Sequence, residues 1–137
     1  MSVRTTGRFT FSDWEEQPVG PAGSVPRIAR ATVVNSFAGG VEAEATTCTY
    51  TIVYTGENVG SYTGLELLSG AVDGRKGAFV LKEQGTFDAG GTRCGFEVVP
   101  GSGTGELAGL TGSGSFECRH GDTSVEYVLT YDLGGGR

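Results

Sequence analysis

The sequence predicts an all-β fold, an eight-stranded antiparallel up-and-down β-barrel built as one domain over residues 1–137. Three observations carry this. Eight β-like runs rich in Val, Thr, Tyr and Phe follow one another from end to end. All but two of the connections are of hairpin length, too short for the crossover that parallel neighbours require. Glycine fills 25 of 137 positions, which opposes a helical fold because each costs about 1 kcal/mol in a helix interior. Eight antiparallel strands leave costly edges unless the sheet closes on itself.

The first run covers 4–13 and is followed by a Pro/Gly loop over 14–27 holding three of the four prolines. The second covers 28–37, and Ala38-Gly39-Gly40 turns into the third, 41–54. That third run is ambiguous in phase: Val41, Ala43 and Ala45 share one face, whereas Cys48, Tyr50, Ile52 and Tyr54 share the other. A β-bulge midway would put both sets inside. Gly56-Glu57-Asn58 leads to the fourth run, 61–72. Asp73-Gly74 then gives a strong two-residue hairpin signal before the fifth, 76–87. The sixth is 92–99. A glycine-rich connection, PGSGTGELAGLTG, leads to the seventh, 113–120, with Leu107 and Leu110 expected to fold back as a small lid. The eighth is 124–133, and residues 134–137 read as a frayed tail.

Ten basic residues stand against 16 acidic ones, a net charge of −6 with no basic stripe. Phosphate neutralisation needs clustered Lys and Arg, so nucleic acid is excluded as a partner, and anionic membranes with it. No run of apolar residues is long enough for a spanning helix. The N-terminal stretch MSVRTTGRFTF lacks the apolar core of a signal peptide, which points to a soluble cytoplasmic protein.

Glu83 is the leading candidate for chemistry. It is in phase with Phe79, Leu81 and Phe87, so one register sets a carboxyl group inside an apolar barrel. Desolvation there raises its pKa and makes it a general acid or base. Two other readings stand beside this one: a water-facing Glu83 with the aromatic face in an oligomer contact, or a buried carboxylate paired with an arginine. His120, the single histidine, is in phase with Phe116 and Cys118 and suits proton exchange near neutral pH. Its alternative is a surface residue flanking Gly121-Asp122.

Tyr50, Tyr54, Phe79, Phe96, Phe116 and Tyr127 are the expected substrate-binding wall, although tyrosine is also an ordinary strand residue. Trp14 serves either to plug a barrel end or to guard an entrance, and plugging is the reading preferred. Cys94 and Cys118 share a phase on neighbouring strands, which fits either a cross-strand disulfide or two thiols, and a reducing compartment favours thiols. Cys48 has no evident partner. The cysteines show no CxxC spacing, so neither a metal site nor a cofactor is expected. The run PGSGTGELAGLTGSG lacks the Lys-Ser/Thr ending of a phosphate-binding loop. No catalytic triad or paired-carboxylate motif stands out.

The segments GLELLSGAVDGRKGAFVL, FVLKEQGTFDAG, VVPGSGTGELAGLTGSGSF and YVLTYDLGG span nearly the whole chain. Together they resemble a family of small bacterial proteins defined only as a domain of unknown function. That family is grouped with allene oxide cyclase-like, calycin-like barrels. The resemblance implies an eight-stranded barrel and carries no catalytic residues. This chain departs from the family pattern in two places: Glu83 stands where a histidine is usual, and Cys94 and Cys118 stand where small residues are usual. The wider grouping includes enzymes that cyclise reactive small molecules in an apolar lumen.

Three functions follow as expectations. The first is a cofactor-independent small-molecule cyclase or isomerase acting on a reactive apolar substrate, with a place in natural-product biosynthesis. The second is a non-catalytic carrier of an apolar metabolite. The third is a structural oligomer with a filled barrel. An apolar small molecule is the expected partner, and a homo-oligomer, a dimer, is compatible with the architecture.

Overall fold

In a computed structural model, which describes residues 2–21 and 23–134, the chain closes into a barrel in which each strand bonds to its neighbours in sequence. The strands are β1 (Val3–Val19), β2 (Arg27–Gly39), β3 (Val41–Gly56), β4 (Val59–Val72), β5 (Arg75–Asp88), β6 (Gly91–Val98), β7 (Thr111–Arg119) and β8 (Ser124–Asp132). All ladders are antiparallel, and β1 closes the barrel on β8 through Val3–Thr10. Among the described residues no helix is long and apolar enough to cross a membrane. The expected tail at 134–137 lies outside the described residues except for Gly134.

The expected loop over 14–27 is corrected. β1 runs on to Val19, with Glu15↔Thr32 through Val19↔Ile28 in register with β2. Proline at position 18 does not break this strand because beyond Thr10 β1 has a ladder partner on one side only, and an edge tolerates a missing N–H. The remaining connection is 20–26. A bulge at Asp13, where φ is 58°, shifts the register between Ser12 and Glu15. It turns Trp14 and Glu16 toward the barrel axis, a re-aiming that bulges commonly perform.

The ambiguous phase of β3 is resolved by a bulge midway. Ala45 has φ 53°, the β3–β4 register shifts between Ala43 and Cys48, and the buried set changes from Val41 and Ala43 to Thr46, Cys48, Tyr50 and Ile52. Asp73 and Gly74, with φ of 46° and 85°, form the tight turn their sequence predicts. That turn pairs Val72 with Arg75 and fixes every β4–β5 partner from there to Gly60↔Phe87.

One half of the lumen is filled. Leu68, Phe79, Leu81, Val98, Val125 and Leu129 pack there with Leu107 and Leu110, which fold back from the β6–β7 connection as expected. This connection also covers the part of β5 that β6 does not reach. Val99 N donates to Val80 O, Val80 N to Ser102 Oγ, Thr104 N to Ala78 O and Lys76 N to Glu106 Oε1. The other half is lined by small residues of β2, Ala29 and Ala31, beside Cys48, Tyr50 and Ile52. Those short side chains leave the space in which the site forms.

Candidate functional site

The register builds the site row by row. Tyr50 on β3 faces Ala31 on β2 and Gly64 on β4, and Gly64 in turn faces Glu83 on β5. A Cβ at Gly64 would run into the Tyr50 ring and the Thr49 carbonyl, so the glycine lets the ring lie across β4 to reach Glu83. Cys48 faces Glu66, and Glu66 is set one inward position along β4 from Gly64. Cys94 enters from β6, where it pairs with Gly85.

Glu83 faces inward as its phase predicts and is 2% exposed. Glu66, equally buried at 2%, stands beside it. Their oxygens and the Cys48 Sγ lie within 4.8 Å of one another. Glu83 Oε1 accepts from the Tyr50 hydroxyl at 2.9 Å, and the Cys48 and Cys94 thiols each lie 3.7 Å from one of its oxygens. Oε2 of Glu66 accepts from Asn35 Nδ2 at 2.9 Å and from the Thr46 hydroxyl. Burial, followed by the hydrogen bond and negative charge of Glu66, pushes the Glu83 carboxyl above the usual range, to about 8. Glu83 keeps its proton because ionising it would set a second negative charge beside Glu66 out of water.

The surrounding groups follow the same physics. Burial and the charge of Glu83 push the Cys48 and Cys94 thiols and the Tyr50 hydroxyl up. Cys48, Glu66 and Glu83 offer three metal-ligating atoms. Their donors and acceptors are nevertheless satisfied by one another and by Asn35, Thr46 and Tyr50, and among the described residues no buried side-chain N or O lacks a partner. The two acids therefore stand side by side, each held by hydrogen bonds from its neighbours. All three cysteines are free thiols. Cys94 pairs with Phe116 and Cys118 with Thr92, so the two thiols are offset along the ladder and not opposite.

Beside the pair lies a cavity of about 200 Å³. Trp14, Tyr50, Tyr54, Tyr62, Phe87 and Phe116 wall it, with Ile52 and Thr92. A smaller void of about 20 Å³, bordered by Asn35, Glu66 and Glu83, lies on the filled side. Tyr50 joins the two regions, since its ring walls the larger cavity while its hydroxyl bonds Glu83. Trp14 stacks on Tyr50 at 6.1 Å between ring centroids and is 53% exposed. It therefore stands at the mouth of the cavity, where the sequence reading preferred a plug.

The six wall residues expected from sequence divide. Tyr50, Tyr54 and Phe116 line the aromatic cavity. Phe79, Phe96 and Tyr127 belong to the filled core around the small void. Tyr127 is fixed there by its hydroxyl, which accepts from Val41 N at 2.8 Å and donates to Ala38 O at 2.9 Å. His120 departs from its expected inward phase: β7 ends at Arg119, and His120 is exposed in the following turn, where its N–H donates to Gly90 O. It lines neither cavity.

Glu66, Asn35, Thr46 and Tyr62 were not singled out by sequence as site residues. For Glu66 a signal existed. It alternates in phase with Tyr62, Leu68 and Val72, while the more conspicuous Leu65 and Leu67 point outward.

Fold and site together define a closed antiparallel barrel that carries a buried acid pair beneath an aromatic cavity. The chain belongs to the DUF3224 family, proteins of unknown function, whose model matches residues 5–131. It is similar to a crystal structure of a DUF3224 protein of unknown function from Shewanella oneidensis MR-1. The two share 27% identity over 96% of this chain and 98% of that one, with a TM-score of 0.76. No curated protein matches the chain.

Proposed function

We propose that the protein is a cofactor-independent isomerase or cyclase for a small apolar molecule held in the aromatic cavity. The observation that carries this is Tyr50, which walls the cavity and bonds the buried Glu83. When Glu83 is protonated the hydrogen bond reverses: the carboxyl group donates to the Tyr50 oxygen and the hydroxyl proton turns to the cavity, so that Glu83 passes its proton to Tyr50 as Tyr50 passes its own to the substrate. Return of a proton from a second substrate atom by the reverse route restores the carboxyl group. Substrate composition is then unchanged, as isomerisation or cyclisation requires. The walls supply orientation, which can lower a barrier by several kcal/mol. The likeness to allene oxide cyclase-like barrels, a biosynthetic role and a cytoplasmic setting that keeps the thiols reduced belong to this proposal.

A carrier is the second reading. It is favoured by one observation: Glu83 borders the small void and not the aromatic cavity, so a bound molecule meets the carboxyl group only through Tyr50. Incubation with a small-molecule extract, followed by mass spectrometry, tests both. Conversion that is lost in Glu83→Gln and Tyr50→Phe supports the enzyme. Retention of an unchanged compound by all three proteins supports the carrier.

A further inference from the structure

Five of the six aromatic rings that line the cavity form a continuous belt. Trp14 packs on Tyr50 at 6.1 Å, Tyr50 on Tyr62 at 5.0 Å, Tyr62 on Phe87 at 6.5 Å and Phe87 on Tyr54 at 5.3 Å. The ends of the belt are joined by a carboxylate. Glu16 accepts from Trp14 Nε1 at 3.1 Å and from the Tyr54 hydroxyl at 2.5 Å. Five rings therefore wall the space above the two buried acids, and Glu16, outside the lining itself, ties the two end rings together. The β1 bulge that aims Trp14 and Glu16 inward is what closes the circle.

We propose that this belt recognises an organic cation of the quaternary ammonium type, whose charge is spread over an apolar methyl surface. Ring faces carry negative electrostatic potential and attract such a cation most strongly where water is excluded. The lining residues include no Lys, Arg or His, and the chain as a whole carries a net charge of −6. The belt already engages one cation: the Arg27 guanidinium sits 3.7 Å from the centre of the Tyr54 ring. Arg27 is not part of the lining, so the cavity walls themselves carry no fixed cation. The inference rests on the reading of this cavity as the ligand site and narrows its apolar ligand to one bearing a diffuse positive charge. It does not require turnover.

The test compares choline with 3,3-dimethylbutan-1-ol, which has the same shape without the charge, by titration calorimetry on the full chain. Choline is expected to bind about tenfold more tightly than its neutral isostere. Glu16→Gln is expected to weaken choline several-fold and leave the isostere unchanged. Glu16 is exposed, and an unaltered melting temperature confirms that the variant folds. Equal or tighter binding of the isostere overturns the charge inference while leaving the cavity as an apolar ligand site. Failure of both probes to bind overturns it as well. The extract experiment with Tyr50→Phe then decides separately whether the parent reading stands.

Discussion

The Tyr50 hydroxyl donates to Oε1 of Glu83 across 2.9 Å, while the ring of the same residue walls the aromatic cavity. One side chain thus connects a buried proton store to a space of ligand size. The connection depends on Gly64, whose missing side chain gives the Tyr50 ring its path across β4.

Replacing Tyr50 by Phe keeps the ring and removes the hydroxyl. Urea unfolding should show a loss of about 1 kcal/mol, the ordinary net worth of a buried hydrogen bond. Any conversion detected with the wild-type protein should be abolished while ligand retention persists. Equal loss of both would place Tyr50 in binding alone.

Glu83 has a testable pH signature. Its carboxyl is held above the ordinary value of 4.5, to about 8, by burial and by Glu66. The folded state therefore keeps a proton that the unfolded chain releases near the ordinary value. The stability this contributes is complete below that value and is lost as pH rises toward about 8. Glu66, Tyr50, Cys48 and Cys94 are the groups facing Glu83. Denaturation of wild type and Glu83→Gln side by side should show the variant gaining on the wild type between about pH 5 and about pH 8. A constant difference would mean that Glu83 does not bind a proton on folding. Any conversion that runs by the proposed proton relay should fall over the upper part of the same range.

The thiols should separate by reactivity. Cys48 and Cys94 are buried beside a carboxyl group that disfavours their thiolates, whereas Cys118 is partly exposed. A disulfide-exchange reagent should modify Cys118 in the native protein and the other two only on unfolding. Rapid native modification of Cys48 would contradict the packing described above.

The end of the barrel opposite the aromatic cavity is held by the β6–β7 connection. Leu110 is fully buried there with Leu107. Leu110→Ala should cost about 2–5 kcal/mol in chemical denaturation, the range for a large-to-small change in a packed core. A cost typical of a surface site would show that the connection does not close the barrel.

Much of the fold was legible in the sequence because its turn chemistry is local. Asp73-Gly74 adopts left-handed angles that few other pairs take readily, and it thereby sets the β4–β5 register. The alternation put Glu83 on one face with Phe79, Leu81 and Phe87, and the closed barrel turned that face inward. The β3 bulge was legible too, as the switch from Ala43 to Cys48 between apolar faces. The full length of β1 was not, because proline and glutamate ordinarily oppose a strand and here occupy an edge bonded on one side.

By itself, then, the sequence determined the strand count and the antiparallel order and set Glu83 in phase with Phe79, Leu81 and Phe87, since turn residues and two-residue periodicity act between near neighbours. Only the tertiary structure decided that Glu66 stands beside Glu83, that Glu16 links Trp14 to Tyr54, and that the lumen divides into a filled half and an open one. Those relationships arise across ladders and around the barrel. They depend on register, on bulges and on where small residues such as Ala29, Ala31 and Gly64 leave room, and these are set by how all eight strands close together.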